Sequence, residues 1–252
     1  MQRRGTGPPV LLVHGLGASA HYWDGVLEAT GVGTLTAPDL LGFGRSPAPP
    51  EAAYDLACHV AALDPLIEPG TVVVGHSTGA IVAAGLAAAR RSDVRAVLLV
   101  GLPAFPDATT ARAEIGRLGL LARLTAEGRP VGRLLCEAMC HLRPLAIAAA
   151  PWVIRDMPRA VAADAARHTW QSYSRTLRQV VIGHRVQDDL RRLDVPVTLL
   201  HGRADRTAPL RYVDEMARAL PTSMTVTVVD GDHHLPVRRP DVVEEAMTGL
   251  LS

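Results

Sequence analysis

The chain has 252 residues, with 26 basic side chains against 25 acidic ones, a net charge of +1 and 48% apolar residues. That composition can build a sizeable core and excludes a disordered chain, and a near-neutral charge gives no general field for nucleic acid or a membrane. The three cysteines, at 58, 136 and 140, are odd in number and too few for a disulfide framework. Cys136 and Cys140 stand one helical turn apart beside His141, but no second ligand pair is spaced for zinc, so core thiols are the better reading. All 26 basic residues are arginine, which excludes lysine Schiff-base or lysine general-base chemistry.

The first segment can be misread. Arg3 and Arg4 precede the apolar run Val10–Val13, and Ala18-Ser19-Ala20 resembles a signal-peptidase site. His14 interrupts the run, however, and the same residues make a better buried strand ending in a glycine turn. The expectation is therefore a cytoplasmic protein, and no apolar run reaches the roughly 18 residues of a membrane span.

In chain order, Pro9–Val13, Gly33–Ala37, Thr71–Val74, Val94–Val100, Pro196–Leu200 and Met224–Val229 read as strands. Helices are expected at Tyr22–Glu28, Tyr54–Ile67, Ala80–Arg91, Leu210–Leu220 and Pro240–Leu250. Strands without polar alternation are buried on both faces, which implies a parallel sheet covered by helices. The alternation stops between about Pro103 and Leu190, where prolines punctuate an otherwise helical composition. This predicts a core of residues 1–102 and 191–252 with an inserted helical lid, 103–190. The insertion carries 12 arginines against eight acids. An anionic substrate is one reading of that excess, and a solvated helical surface is the simpler one.

Four strand ends carry reactive residue types: His14-Gly15 after the first, Gly75-His76-Ser77-Thr78-Gly79 after the third, His201-Gly202-Arg203-Ala204-Asp205 after the fifth, and Asp232-His233-His234 after the sixth. In a parallel sheet the carboxyl ends of the strands lie at one edge, where sites are built. Gly75-x-Ser77-x-Gly79 between a valine strand and an alanine-rich helix is the context of a nucleophile elbow. A serine hydroxyl is a weak nucleophile, so it needs a base near neutrality, and that base needs a carboxylate to orient it.

The order Ser, Asp, His, together with His14-Gly15, Asp39-Leu40-Leu41-Gly42-Phe43-Gly44-Arg45-Ser46 and His201-Gly202-x-x-Asp205, resembles the α/β-hydrolase fold family, in its lid-bearing esterase-like branch. The resemblance covers about Pro8–Gly101 and Leu193–Leu251. It implies Ser77, Asp205 and His233 as the catalytic residues, because the interval from His233 to Pro240 fits the family and that from His234 misses by one. Asp107 is a rival acid, Asp232 is too close to the base along the chain, and Asp39 most simply fixes its own loop. The resemblance also implies oxyanion donors in the backbone N–H groups of Leu16 and Thr78. His14, His76 and His201 are expected as local support, while His14, His76, His234, Trp23, Trp152, Trp170 and Tyr173 are candidates for lining a pocket. Two strands that usually precede the first one seen here are missing, so about six strands are expected.

The leading expectation is a serine hydrolase acting on an ester, lactone or thioester with a largely apolar acyl group. No metal, organic cofactor, nucleic acid or membrane partner is implied. Two other readings share the scaffold: a lyase, cyclase or acyl transferase without net hydrolysis, and a ligand-binding receptor.

Overall fold

The computed structural model describes residues 1–127, 130–220 and 224–251, with the side chains at 120 and 121 left aside. Residues 128 and 129 of the expected insertion, and 221–223 and 252 of the expected core, lie outside the described residues. Seven strands form one sheet in the order β1-β3-β2-β4-β5-β6-β7. They are β1 (Gln2–Arg4), β2 (Pro9–Val13), β3 (Thr34–Ala37), β4 (Thr71–His76), β5 (Val94–Val100), β6 (Val197–Gly202) and β7 (Met224–Val229). All neighbours pair in parallel except β1, which runs antiparallel along β3. The expectation of about six strands therefore falls short by β1. Its three residues, Gln-Arg-Arg, sit at an exposed edge and carry no apolar pattern.

Strands β2, β4, β5 and β6 are rich in valine and leucine because both of their faces are covered, whereas β3, Thr-Leu-Thr-Ala, alternates half-buried and buried residues. Alternate residues divide between two cores. Leu11, Val13, Val73 and Leu99 face α3 (Thr78–Ala89), while Val10, Leu12, Val72, Val74 and Leu98 face α1 (Asp24–Ala29) and α13 (Pro240–Leu251). Burying a valine or leucine fully is worth roughly 1.5–3 kcal/mol, so these rows dominate the fold's stability. Helix α3 is buried from Thr78 to Ala88. Its small residues let it press on both the sheet and α2 (Leu56–Leu63): a methyl at Gly85 would sit 2.8 Å from Leu56 Cδ2.

Between β5 and β6 the described chain is helical: α4 (Ala108–Arg117), α5 (Leu120–Ala126), α6 (Pro130–His141), α7 (Arg143–Val153), α8 (Arg159–Asp164), α9 (Trp170–Thr176), a π-helical turn (Leu177–Ile182) and α10 (Val186–Leu190). The last part of this insertion joins the main core. Leu177, Val180, Ile182, Val186 and Leu190 pack in the same cluster as α3. Ser19 Oγ donates to buried Asp164 at 2.6 Å, tying α8 to the loop after β2. After β6 come α11 (Leu210–Arg218) and, beyond β7, α12 (Leu235–Arg238). No described helix is long and apolar enough to cross a membrane.

Candidate active site

The register places Val13 beside Gly75, His76 beside Val100, Val100 beside Leu200, and Gly202 beside Val229. The loops that follow these strands therefore share one edge of the sheet. Ser77 links β4 to α3 with φ 55° and ψ −122°. Such a conformation costs a non-glycine residue roughly 1–3 kcal/mol. The turn closes because its flanks are glycines: a Cβ at Gly75 would lie 2.2 Å from Gly79 O, and one at Gly79 would lie 2.3 Å from Val13 O. The Ser77 N–H donates to Val100 O at 2.9 Å, which anchors the strained residue to β5.

Asp205 is held in the loop after β6. Its Oδ1 accepts the Thr207 and Ala208 N–H groups at 2.9 and 2.8 Å. Its Oδ2 lies 2.7 Å from His233 Nδ1, and His233 Nε2 lies 3.0 Å from Ser77 Oγ. A carboxylate only accepts, so His233 Nδ1 carries the proton and donates it. Nε2 then presents its lone pair to the serine hydroxyl. The three residues lie 128 and 28 positions apart in the chain and form one hydrogen-bonded line.

The other histidines have different tasks. His14 Nε2 accepts the Leu40 N–H at 2.9 Å, which fixes the proton on Nδ1, where it is donated to Gly15 O at 2.8 Å. Burial holds its pKa below the usual value. His76 Nε2 donates to His233 O at 2.7 Å, and its ring stacks on Tyr22 with centroids 4.7 Å apart. Burial, then the neighbouring His233, pushes the His76 pKa well down, so it adds no positive charge beneath His233. His234 turns away from Ser77: its Nδ1 lies 2.7 Å from the Tyr22 hydroxyl, and its N–H donates to Asp232 Oδ1. His201 Nε2 donates to Ala208 O at 2.6 Å, supporting the Asp205 loop. Asp39 accepts the Ala20 and Arg45 N–H groups and so fixes its own loop. Asp107 caps α4 through Thr109 and Thr110.

The loop after β2 abuts the serine, since a methyl at Gly15 would lie 3.1 Å from Ser77 Cβ. Among the described residues, neither the Leu16 nor the Thr78 N–H donates to another protein group. Beside Leu16 opens a cavity of about 690 Å³, within the range of small-molecule sites. Its walls come largely from α5, α6 and α9 and are mostly apolar, with Thr125, Cys136, His168 and Tyr173 as polar points. Of the expected lining residues, Trp170 and Tyr173 are there. Trp23 is not: it is fully buried against Val10, Leu12 and Val26. Nor is Trp152, which stands exposed on the outer side of α7. His14, His76 and His234 also stay out of this cavity, since backbone bonds and Tyr22 hold them around the strand ends. Sequence reasoning missed Tyr22 and His168. Tyr22 reaches His234 across 212 positions, and no local pattern marks such a contact. Among the described residues, no group of three or more His, Cys, Asp and Glu converges to hold a metal.

A parallel sheet, a serine on a strained strand–helix turn and an acid–histidine line define an α/β hydrolase. The chain belongs to the alpha/beta hydrolase family, whose model matches residues 10–246. It is 30% identical over 256 residues to "Probable lysophospholipase BODYGUARD 4" of Arabidopsis thaliana, covering 89% of this chain and 59% of that one. With BODYGUARD 5 of the same plant it shares 30% over 90% of this chain and 58% of the relative. The chain thus spans about three-fifths of the length of these two relatives. Among solved structures, a thermophilic esterase from Thermogutta terrifontis superposes with a TM-score of 0.69 and 25% identity, over 99% of this chain and 91% of that one. Membership of this family and the hydrolase names of its relatives support hydrolytic enzyme activity.

Proposed function

We propose that the protein is a serine hydrolase that cleaves a carboxylic ester, lactone or thioester through an acyl-enzyme on Ser77. The observation that carries this reading is the line Asp205–His233–Ser77, with contacts of 2.7 and 3.0 Å at a strained elbow. Ser77 Oγ attacks the acyl carbon while its proton passes to His233 Nε2. Asp205 Oδ2 holds the Nδ1 proton and stabilises the imidazolium that forms. The free N–H groups of Leu16 and Thr78 receive the tetrahedral oxyanion; losing one such donor typically costs roughly 10²–10³ in rate. His233 then protonates the leaving group. Water enters, gives its proton to His233 and attacks the acyl carbon; the proton returns to Ser77 as the acid is released.

The cavity beside Leu16 takes the acyl group, and its mostly apolar walls favour a largely apolar one. The esterase and lysophospholipase names of the relatives agree with an ester as substrate. Rapid mixing with a soluble 4-nitrophenyl ester tests the reading. It predicts a burst of one nitrophenolate per protein and no burst with Ser77→Ala. Steady release without any burst from wild type and Ser77→Ala alike would overturn it.

A further inference from the structure

Helices α6 and α7 expose what a soluble helix normally buries. Val131, Leu134 and Leu135 recur at helical spacing along α6, Leu142 follows at the junction, and Leu145, Ala148, Ala149 and Trp152 recur along α7. Leu134 is 64% exposed, Leu145 67%, Trp152 65% and Val153 79%. Only Gly132 of α6 is buried, and no residue of α7. Among the described residues, the large apolar side chains exposed elsewhere are Met1 and Val32 alone, apart from Leu118 just before α5. Large apolar side chains exposed together on two consecutive helices mark an interaction site.

The charges around it choose the partner. From Leu118 to Arg159 the sequence holds six arginines and three acids, a local charge of +3 against +1 for the whole chain. The three acids are already paired within the protein: Glu127 with Arg123, Glu137 with Arg133, and Asp156 with Arg238. Arg155 and Arg159 have no carboxylate partner among the described residues. Arg155 Nε donates to Trp152 O at 2.9 Å, and the Arg159 guanidinium lies 5.5 Å from the Trp152 ring centre. An exposed tryptophan is thus bracketed by two uncompensated guanidinium groups.

We infer that the α6–α7 face docks on an anionic phospholipid surface, with Leu134, Leu145, Trp152 and Val153 entering the acyl boundary and Arg155 and Arg159 meeting headgroup phosphates. Apolar side chains with tryptophan at their edge and arginine beside them fit the layered polarity of that interface. A second copy of this chain fits worse, because a two-fold interface would set this cationic face against itself. Binding is peripheral, since neither helix is long enough to span a bilayer. Leu135, Cys136 and Met139 of α6 also wall the cavity beside Leu16, so the docked face is continuous with it. Docking needs no turnover and stands apart from the acyl-enzyme reading.

The test uses Ser77→Ala protein, which cannot consume lipid, sedimented with phosphatidylglycerol or phosphatidylcholine vesicles. Binding to phosphatidylglycerol should be at least roughly tenfold tighter and should fall in about 1 M salt. Tryptophan emission should shift to the blue on binding, and Trp152→Phe should remove most of that shift. Arg155→Gln/Arg159→Gln should weaken binding on the order of fivefold per arginine. Trp152→Gln/Val153→Gln should weaken it as well, with an unchanged unfolding temperature in both variants as the check on folding. No binding to phosphatidylglycerol, full binding by both double variants, or a dimer that dissociates in those variants without vesicle binding would each overturn the inference.

Discussion

Asp205→Asn preserves size and removes charge, and the surrounding bonds dictate where the new amide points. Oδ1 accepts two backbone N–H groups, at 2.9 and 2.8 Å. Turning the NH₂ toward them would set donors against donors and leave those buried groups unpaired, at about 1–3 kcal/mol each. The amide oxygen therefore stays on Thr207 and Ala208, and the NH₂ faces His233. An NH₂ only donates, so His233 Nδ1 must accept and the ring proton moves to Nε2. Nε2 faces Ser77 Oγ at 3.0 Å, and no lone pair remains to take the serine proton. The expected loss is about 10⁴ in kcat, equivalent to about 5 kcal/mol of transition-state stabilisation. KM should change by no more than roughly twofold, because the cavity is untouched. Steady-state kinetics on a soluble 4-nitrophenyl ester gives both constants. Asp107→Asn is the companion: it disturbs only the cap of α4 and should keep kcat. A kcat above about a tenth of wild type in Asp205→Asn, or an equal collapse in Asp107→Asn, would refute the reasoning.

Ser77→Gly should stabilise the fold while abolishing activity, since glycine accepts φ 55° without strain. A gain of about 1 kcal/mol raises Tm by roughly 2–4 °C in calorimetry, and a lower Tm would contradict the stored strain. Burial holds the pKa of His59 at about 4, against an ordinary 6.5. The unfolded chain therefore takes up this proton first as pH falls. The stability His59 contributes is complete above pH 6.5 and is lost between there and about 4, up to about 3 kcal/mol. Urea unfolding at pH 7 and pH 4.5 should show a smaller loss in His59→Gln than in wild type; equal losses would count against this. Cys136→Phe should fill the cavity wall and cut kcat/KM for long acyl esters roughly tenfold while sparing acetates, because each excluded methylene forfeits about 0.8 kcal/mol. Equal effects on both would place the acyl group elsewhere.

The strands that bury both faces were legible because nothing but packing governs them. Pro9–Val13 and Val94–Val100 match β2 and β5 end to end, and Met224–Val229 matches β7, although that edge strand alternates exposed threonines with half-buried apolar residues. Helix α3 begins two residues before the expected Ala80 because the turn at Ser77 starts it at once. Strand β1 escaped since its pairing is set by backbone bonds to β3, with no apolar residue to signal it. The choice of His233 over His234 rested on an interval, and the structure turns His233 to Ser77 and His234 to Tyr22. Two of the three tryptophans were illegible: Trp23 and Trp152 have the same chemistry, and only tertiary packing sends one to the core and the other to solvent. The outward stripes of α6 and α7 hid in the same way, because a periodic pattern gives a face and not its direction.

The central claim is an activated serine at residue 77, and one reagent addresses it directly. Incubation of the pure protein with a fluorophosphonate, followed by intact mass measurement, should add a single phosphonyl group to the wild-type chain and none to Ser77→Ala. An unlabelled, folded wild type, or the same adduct on Ser77→Ala, would contradict the account.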